Sequence, residues 1–302
     1  ISMIKGKDIV CISTSDWDKP WGSRQQLMSR LSASNRVFFV EYQASFAHLF
    51  FLPFLCARIK RFKNPTRKIN DNLFVYTPYP GLPCGYYSRT INRINQYMLA
   101  WFLKRILKKL NFTDIILWLY PPSSVELLGK LDEKTILYHC IADFPAEKRI
   151  FLRRRAVLSM EKELTVKSDI ILALTESLFN KHKHINSRTY LFPSAVDESV
   201  FFPSAGNDVA EPLDIAVLNR PRIGMVGYLD GNVLDIDLVN YIADQHPEWS
   251  IVLIGPKYRH IIRLSLLSKK GNIYFIPEKK NNEMPVYIKN LDVCMIPYVV
   301  NE

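Results

Sequence analysis

The sequence predicts an α/β chain that folds as two doubly wound, Rossmann-like domains, each a parallel sheet with helices on both faces. Three observations lead to this prediction. Short apolar runs bounded by polar turns alternate with helical patterns, which is typical of βαβ units. A segment rich in Pro, Ser and Asp begins at Phe192 and interrupts the alternation, which then starts again. The chain has 302 residues, 48% of them hydrophobic, enough to bury two cores.

The part before this interruption carries seven predicted strands, most of them followed by a predicted helix. Because a helix between two strands returns the chain to the same sheet edge, the strands are predicted to be parallel. The strands are Asp8–Ser13, Val37–Glu41, Leu73–Thr77, Ile115–Leu119, Thr135–Cys140, Ile170–Ala173 and Thr189–Phe192. The helices are Ser23–Ser32, Ser88–Leu110, Ser123–Leu128, a stretch from near Ala146 to near Lys167, and Glu176–Lys183.

The same alternation returns in the last part of the chain. We place the domain boundary in the loop-rich segment, which gives domains of residues 1–205 and 206–302. The second is shorter than a full Rossmann-like domain, so we expect it to be partial. Its predicted elements are the strands Arg222–Val226, Ser250–Ile254, Ile273–Phe275 and Val293–Ile296 and a helix at Met284–Asn290.

Composition limits the possible partners and the compartment. Lys and Arg total 40 against 29 for Asp and Glu, a formal charge of +11, which favours anionic partners. Nucleic acid is not expected, because the chain has no known nucleic-acid module or aromatic stacking platform. The five cysteines have no C-x-x-C spacing, which indicates a reducing cytoplasm. No signal peptide is recognised, and no apolar run reaches the roughly 20 residues that span a bilayer.

One segment departs from the α/β pattern. Phe46 to Ile69 is apolar and aromatic at first and strongly basic afterwards. One interpretation is a membrane-interface segment whose rings enter the acyl boundary and whose basic residues contact anionic headgroups. The other is a core helix followed by a solvated basic loop. Two further basic clusters, Lys104–Lys109 and Lys148–Arg155, favour a membrane-facing N-terminal domain.

The turn after the first strand is a candidate site. The order strand, PWGSRQQ, helix is typical of an anion-binding βα turn, although the G-x-G-x-x-G spacing of dinucleotide sites is absent. Asp16 and Asp18 form a D-x-D, with which some sugar transferases hold Mg²⁺ or Mn²⁺. The alternative is that they cap the helix or remain solvated, which is the commoner situation.

Other strand ends carry polar residues where a doubly wound sheet binds its ligand. Asp143 follows the strand that contains His139, so it is a candidate general base or a helix cap. His139 itself is expected to be buried in the sheet. Gly227 and Lys257 follow two strands of the second domain, where a Gly permits close backbone approach and a Lys can meet a phosphate.

These segments, in this order, resemble the two-domain GT-B glycosyltransferases, especially the bacterial family 4-like enzymes of teichuronic acid or exopolysaccharide assembly. The resembling stretches include SDWDKPWGSRQQ, ILYHCIADF, SDIILALTESLF, RIGMVGYLD, IVLIGPK and the stretch from Asn272 to Tyr298. SAVDESVFF resembles the N-G-V-D-x-x-x-F segment at the domain crossover, with Ser194 and Ala195 replacing Asn and Gly.

The resemblance implies a nucleotide-diphosphate sugar donor on the C-terminal domain and an acceptor on the N-terminal domain. No cofactor and no metal are expected, because helix N-termini and basic side chains neutralise the leaving diphosphate in such enzymes. By position, Asp143 matches the acidic residue that some inverting relatives use as base. The acceptor-side cleft residues are Trp21, Gly22, Ser23 and Arg24. The donor-side residues are Gly227, Tyr228, Asp230, Gly255, Pro256, Lys257, Ile276, Pro277, Met284 and Tyr287.

Two departures from the family pattern affect the functional prediction. The basic pair that often follows the first donor-side glycine is absent. The Lys and Glu of a later donor-binding segment are expected beyond Glu302, because we interpret the chain as C-terminally truncated.

From the resemblance we predict a glycosyltransferase acting on a cell-surface polysaccharide or lipid-linked acceptor at the cytoplasmic face of a membrane, with peripheral contact through Phe46 to Lys68. The alternatives are a non-catalytic nucleotide-sugar or polysaccharide binding module and, more weakly, an epimerase.

Overall fold

The chain forms two compact units, Ile1–Ala195 and Val196–Glu302. Each unit is built on its own main sheet. The sheet of the first unit is parallel apart from one edge strand, and that of the second is parallel throughout, so the predicted α/β class with two Rossmann-like sheets is confirmed. No helix in the part described is long and apolar enough to cross a bilayer. This computed structural model describes residues 4–18, 21–47, 58, 60–85, 88–146, 154–201, 210–231, 233–259, 264–267 and 270–300.

The sheet of the first unit has eight strands. They are β1 (Asp8–Ile12), β2 (Arg36–Val40), β3 (Thr66–Asn70), β4 (Leu73–Tyr76), β5 (Ile115–Leu119), β6 (Thr135–Cys140), β7 (Ile170–Ala173) and β8 (Thr189–Leu191). Their order is β3-β4-β2-β1-β5-β6-β7-β8, and only β3 runs antiparallel to its neighbour. The chain order reverses at β1, so β1 and β5 form the switch point of a doubly wound sheet.

Strand β1 lies in the middle of the eight-stranded sheet, between β2 and β5, and every one of its residues is buried. Val10 pairs with Phe38 on one side and Leu117 on the other. Alternate residues enter the two cores: Val10 packs in the core on one face of the sheet, and Ile9 and Cys11 pack in the core on the other. Burial on both faces explains why these strands read as continuous apolar runs.

The helices of the first unit cover this sheet. The longest, α2, begins after Ser88, whose hydroxyl accepts a hydrogen bond from the N–H of Ile91 at 3.4 Å. Leu99, Leu103 and Leu107 recur at helical spacing and are buried. The helices are α1 (Ser23–Leu31), α2 (Arg89–Lys109), α3 (Arg154–Lys167) and α4 (Glu176–Lys183), with 3₁₀ helices at Pro122–Leu127 and Phe144–Ala146.

The second unit has a four-stranded parallel sheet. Its strands are β9 (Arg222–Val226), β11 (Ser250–Ile254), β13 (Ile273–Ile276) and β14 (Val293–Cys294), in the order β13-β11-β9-β14. The order reverses at β9, so β9 and β14 form its switch point. Two short strands, β10 (Leu229–Asp230) and β12 (Lys257–Arg259), pair separately. The helices are α5 (Glu198–Phe201), α6 (Leu213–Ala216), α7 (Ile236–Gln245) and α8 (Met284–Lys289).

The sequence predictions agree with these bounds within about two residues for most elements. The exception among the helices is the predicted helix Ser123–Leu128, which is a 3₁₀ helix that begins at Pro122. The helix predicted from near Ala146 is described only from Arg154, because residues 147–153 lie outside the described part. The three strands β3, β10 and β12 were not predicted.

Strand β3 corrects the interpretation of the end of the Phe46 to Ile69 segment. Residues 48–57 and 59 lie outside the described part, so the predicted apolar half is not tested. Thr66–Asn70 is neither a loop nor an interfacial helix but the edge strand that pairs with β4. Charged residues at Arg67 and Lys68 are compatible with this position, because an edge strand has one side open to water.

Candidate functional site

The loop between β1 and α1, which contains the PWGSR stretch, follows the carboxyl end of β1, next to the carboxyl end of β5. Gly22 precedes α1, and its N–H donates to the side-chain oxygen of Gln25 at 3.1 Å. The amide nitrogen of Gln25 donates to the carbonyl oxygen of Asp16 at 2.8 Å, which ties the loop to the helix. Trp21 is exposed and meets Trp17 edge to face, with ring centroids 5.3 Å apart. Trp21 and Gly22 therefore lie at the switch point of the sheet, and their predicted contact with an acceptor stays a prediction.

A buried carboxylate fixes the base of this loop. Glu41 follows β2, and its side chain is inaccessible to solvent. It accepts hydrogen bonds from the N–H of Trp17 at 2.9 Å, from the Thr77 hydroxyl at 2.6 Å and from Arg67 Nη2 at 3.1 Å. These three donors come from the loop after β1, the end of β4 and strand β3. One side chain therefore links four segments of the chain.

The two aspartates of the loop are paired with arginines. Asp16 accepts a hydrogen bond from Arg58, and Asp18 accepts one from Arg61 at 2.9 Å and from Arg67 at 3.1 Å. Burial raises the pKa of Asp16, while Arg58 acts in the opposite direction. With Glu41, these residues form an acid–arginine cluster of Asp16, Asp18, Glu41, Arg58, Arg61 and Arg67.

This cluster bears on two interpretations of the sequence. The D-x-D carboxylates are not oriented as bare metal ligands, since guanidinium groups occupy their hydrogen-bonding oxygens. Three of the basic residues assigned to lipid headgroups, Arg58, Arg61 and Arg67, are engaged by carboxylates of the same unit. The expectation that no metal is needed stays a prediction.

Arg24 differs from those arginines because no carboxylate within ion-pairing distance is found for it in the described residues. Its Nε donates to the Ser15 hydroxyl at 3.3 Å, and its guanidinium carbon lies 5.7 Å from the centre of the Tyr120 ring. Burial lowers the pKa of Arg24, which records the cost of a half-buried cation. Ser23, its neighbour at the start of α1, is exposed. A cation in this position can pair with an anionic group of a ligand.

His139 occupies the same face of the sheet. It is 5% exposed, and neither ring nitrogen has a hydrogen-bond partner in the described structure. Its ring lies 4.9 Å from that of Tyr120 and 5.5 Å from that of Phe192. Burial, assisted by the charge of Arg24, lowers its pKa to about 4, so the ring is neutral at physiological pH. Burial in the sheet was predicted, whereas Tyr120 and Phe192 were missed.

Asp143, the predicted base, follows β6 and is about half exposed. Its carboxylate accepts a hydrogen bond from Lys181 Nζ at 2.8 Å. The same ammonium donates to the buried carboxylate of Glu161 at 2.7 Å, so Lys181 bridges the two acids. The structure thus holds Asp143 through a lysine of α4, a partner that no local sequence pattern identifies. The catalytic role of Asp143 stays a prediction.

A buried group behind Asp143 was tested as a metal site. The ligand atoms of Cys140, Glu161 and His182 lie within 4.8 Å of one another. The Thr165 hydroxyl donates to the carbonyl oxygen of Glu161 at 2.8 Å, so it accepts from His182 Nδ1 at 2.9 Å. The Sγ of Cys140 lies 3.4 Å from His182 Nε2 and 3.6 Å from the carbonyl oxygen of Ala142, so the thiol has two acceptors for its one proton.

The pKa values agree with this neutral pair. Burial lowers the pKa of His182 to about 4 and raises that of Cys140 to about 11. Metal binding would require the thiolate and would place a cation beside the ammonium of Lys181, which lies against Glu161. The group is satisfied by its own hydrogen bonds, and these residues do not fit a metal.

In the second unit, three turns after parallel strands meet. The N–H of Gly227 donates to the carbonyl oxygen of Ile254 at 3.0 Å, and the N–H of Gly255 donates to that of Ile276 at 3.0 Å. Gly255 has φ of +141°, and a Cβ built on it would overlap the carbonyl oxygen of Gly227. The first two predicted donor turns and the start of the third are therefore in direct backbone contact. Pro256 and Pro277 belong to the same turns.

The side chains predicted for the donor site fall into two groups. Tyr228 is exposed at the first turn, and Lys257 is exposed with its Nζ 4.1 Å from the centre of the Phe275 ring. Asp230 is buried. The phenol of Tyr287 is buried and donates to Asp214 at 2.8 Å.

Three of the donor-site predictions, Ile276, Met284 and Tyr287, therefore coincide with core positions. Met284 packs in the small core that also contains Tyr287. Lys279, which the sequence did not single out, pairs with Asp214 at 2.6 Å. Tyr298 was also missed, although its hydroxyl lies close to Gly227 and its position just after β14 marks the switch point.

Comparison with solved structures places this geometry in a known architecture. A sucrose-phosphate synthase from Thermosynechococcus elongatus matches with a TM-score of 0.67 and 15% identity, over 95% of this chain and 74% of that one. An α,α-trehalose 6-phosphate synthase from Burkholderia multivorans matches with a TM-score of 0.63 and 12% identity, over 96% and 76%. The Anabaena protein HepE in complex with UDP and glucose matches with a TM-score of 0.61 and 12% identity, over 95% and 73%.

No family model matches the chain, and no curated protein matches its sequence. The structural likenesses, at 12% to 15% identity, show the fold and not the reaction. They agree with the two Rossmann-like sheets described above and with the predicted resemblance at the level of fold. The narrower resemblance to family 4-like teichuronic acid enzymes is not tested by them. The chain has the fold of the GT-B glycosyltransferases.

The buried carboxylate of Glu41 gives a stability prediction. Glu41→Ala removes the acceptor of a buried N–H and a buried hydroxyl and leaves Arg67 without this partner, so we expect the free energy of unfolding to fall by about 3 kcal/mol. Urea denaturation followed by circular dichroism measures it. Asp71→Ala, which removes a fully exposed ion pair with Lys68, is the control and should leave the midpoint unchanged. Equal midpoints for both variants would contradict the role of Glu41.

His139 gives a prediction about pH. Its pKa is about 4 in the folded chain against an ordinary 6.5, so the unfolded chain binds the proton first as the pH falls. The contribution of the neutral His139 ring to the free energy of unfolding is complete above pH 6.5 and is lost as the pH falls from about 6.5 to about 4. We expect His139 to remove about 2 kcal/mol of unfolding free energy between about pH 7 and pH 5. Urea denaturation of His139→Phe at both pH values should show a correspondingly smaller loss, and an identical loss would refute the assignment.

The contact between the glycine turns gives a third prediction. Gly255→Ala introduces a Cβ where the Gly227 carbonyl lies, at a φ that favours glycine, so we expect it to destabilise the second unit by about 3 kcal/mol. Gly271→Ala is the matched control, since no atom lies within 4 Å of its added Cβ. Thermal unfolding of the two variants measures the difference. A Gly255→Ala protein as stable as Gly271→Ala would show that the turns do not touch.

Proposed function

We propose that the chain transfers a sugar from a nucleotide-diphosphate donor to a glycan or lipid-linked acceptor. The single observation that carries this proposal is the contact of the strand-end turns around Gly227 and Gly255 in a unit with the fold of GT-B enzymes. Backbone turns without side chains at a switch point let a phosphate approach the main chain. UDP and glucose in the HepE complex, in a protein of the same fold, support this choice of donor.

The donor is assigned to the second unit. Lys257 offers the ammonium that pairs with diphosphate, and its exposure leaves it available for that role. Tyr228 stands at the neighbouring turn and offers a ring and a hydroxyl to the sugar or the base. Gly227, Gly255 and Pro256 supply the close backbone approach. The remaining donor-side predictions are Asp230, Ile276, Pro277, Met284 and Tyr287, of which Tyr287 is buried and donates to Asp214, so no direct donor contact is assigned to it.

The acceptor is assigned to the switch point of the first unit. Trp21, Gly22 and Ser23 form its rim, and Arg24 supplies positive charge. The buried rings of His139 and Tyr120 pack against each other beneath that charge and hold its surroundings in place. The arginine is proposed to bind polar or anionic substituents of the acceptor.

Asp143 is the candidate base if transfer inverts the sugar. In that reaction the acceptor oxygen forms a bond to the anomeric carbon, the bond to the diphosphate oxygen breaks, and Asp143 takes the hydroxyl proton. Lys181 positions the carboxylate through the 2.8 Å hydrogen bond. The diphosphate leaves as an anion stabilised by Lys257 and backbone N–H groups, so the proposal includes no metal and no cofactor.

The acceptor and its location complete the proposal. A cell-surface polysaccharide precursor or a lipid-linked saccharide assembled at the cytoplasmic face of the membrane suits a chain with a formal charge of +11. Peripheral contact through Phe46 to Lys68 belongs to the same proposal, although Arg58, Arg61 and Arg67 are excluded from headgroup contact by their carboxylates. Nucleic acid is not proposed as a partner.

Donor binding is testable without knowing the acceptor. Calorimetry with UDP-, GDP- and dTDP-sugars should give saturable binding for one nucleotide class. Lys257→Ala should weaken that binding about tenfold or more because it removes a charge-assisted contact to phosphate. Lys289→Ala, an exposed lysine on α8, is the control and should bind as the parent chain does. The absence of binding for every nucleotide sugar at millimolar concentration would refute the proposal.

Turnover separates the proposal from its alternatives. Release of free nucleotide diphosphate that depends on added acceptor and is lost in Asp143→Asn supports transfer. Binding without turnover for any acceptor supports the non-catalytic binding module. The absence of the basic pair after Gly227 favours this alternative. Conversion of the donor sugar without any acceptor supports an epimerase.

A further inference from the structure

Helix α2 presents a second apolar stripe on the side opposite the core. Ile94, Tyr97, Met98 and Trp101 are spaced i, i+3, i+4 and i+7, which places them on one face of the helix. All four are exposed, Tyr97 to 65% and Trp101 to 50%. The core contacts of the helix come from other residues, namely Leu99, Leu103 and Leu107. Packing within the first unit therefore does not explain this stripe.

Aromatic residues from other segments extend the stripe into a surface. The ring of Trp101 lies 4.8 Å from that of Phe102, and the ring of Phe102 lies 5.1 Å from that of Tyr79. Tyr79 in turn lies 5.8 Å from Phe62, which belongs to the basic segment before β3. Of the three regions that the sequence associated with a membrane, two are thus connected: the aromatic chain runs from Phe62 in residues 46–69 to Trp101, and Arg105 of residues 104–109 lies over the Trp101 ring. We call this surface the α2 face.

Helix α2 itself contributes only positive charge, although three of its cations are paired with acids of other segments: Arg89 and Arg93 with Glu126, and Lys104 with Asp132. Helix α2 contains no Asp or Glu, whereas it contains Arg89, Arg93, Lys104, Arg105, Lys108 and Lys109. Arg105 lies over the ring of Trp101, with 4.3 Å between the guanidinium carbon and the ring centre. Lys108 and Lys109 have no carboxylate within ion-pairing distance among the described residues, and Lys60 and Lys63, beside Phe62, are exposed.

We infer that the α2 face binds an anionic membrane surface, with the helix lying in the plane of the interface. Trp and Tyr side chains prefer the headgroup level, and Lys and Arg stems extend from there to anionic lipid. At 21 residues the helix is about 30 Å long, enough to seat the stripe and its flanking cations together. Lys108 and Lys109, which have no carboxylate partner among the described residues, favour an anionic lipid surface over a protein partner of mixed charge, because they leave positive charge uncompensated at the end of the helix.

This inference deepens the proposed function, on which it rests only for the identity of the acceptor. A chain that docks through the α2 face would meet a lipid-linked acceptor in two dimensions at the interface. Membrane binding itself requires no donor and no transfer, so it can be measured separately. Failure of docking would leave the donor-binding experiment unaffected, and failure of donor binding would leave docking unaffected.

The experiment is flotation of the full chain with vesicles of phosphatidylcholine alone and with one third phosphatidylglycerol. We expect flotation with the anionic vesicles at low salt and its loss at high salt, since exposed charges are screened. A double variant, Tyr97→Glu with Trp101→Glu, should reduce the bound fraction at least tenfold. Tyr241→Glu on α7 is the control, because Tyr241 is 63% exposed on a helix of the other unit. Circular dichroism and melting of each variant establish that it is folded.

A second measurement avoids disruptive substitutions. Brominated lipid should quench part of the tryptophan fluorescence, and the conservative variant Trp101→Phe should remove more of that quenching than Trp21→Phe. Trp21 is the matched control because it is also exposed but lies in the loop before α1, whereas Trp17 and Trp118 are buried. Three outcomes would overturn the inference. These are no flotation at any salt, flotation of the double variant equal to that of Tyr241→Glu, and sedimentation of a dimer that Trp101→Glu dissociates, which would make the α2 face a contact between copies.

Discussion

The geometry of the first unit depends on one buried carboxylate. Glu41 receives the N–H of the loop after β1, the hydroxyl that ends β4 and the guanidinium from edge strand β3. A carboxylate removed from water is stable only when charged and polar donors surround it, so each of these segments must be in place at once. The loop that carries Trp21 and leads into α1 is therefore positioned by contacts from across the sheet as well as by its local hydrogen bonds to Gln25.

The order of the elements could be predicted from the sequence because burial on two faces leaves a strong signal. Strands such as β1 and β5 are continuous apolar runs, and the helices between them carry apolar residues at helical spacing. Strand β3 left no such signal. Its residues are mostly polar and partly exposed, and it is a strand because it forms an antiparallel hairpin with β4 across the turn at Asp71 and Asn72.

The candidate site could be predicted in position but only partly in chemistry. Gly227, Gly255 and the loop around Gly22 were found because parallel strands deliver their carboxyl ends to one edge. The partners of individual charges were not predictable, since Asp16 meets Arg58 and Asp143 meets Lys181 through tertiary contacts. Tyr287 shows the opposite error, in which a residue at a site position in the sequence serves the core. Tyr120 could have been found by applying the switch-point rule to β5.

The close approach of Gly227 and Gly255 has a consequence for how such a site can diversify. Where two turns touch through main-chain atoms, the floor of the site is peptide, and its shape is the same whatever residues surround it. In the proposed donor site, discrimination between one base or sugar and another would then reside in the side chains at the margin, among them Tyr228, Lys257 and Tyr298. Gly255 at the centre cannot be replaced without displacing the Gly227 carbonyl, so a change of specificity would require substitutions among the side chains at the margin.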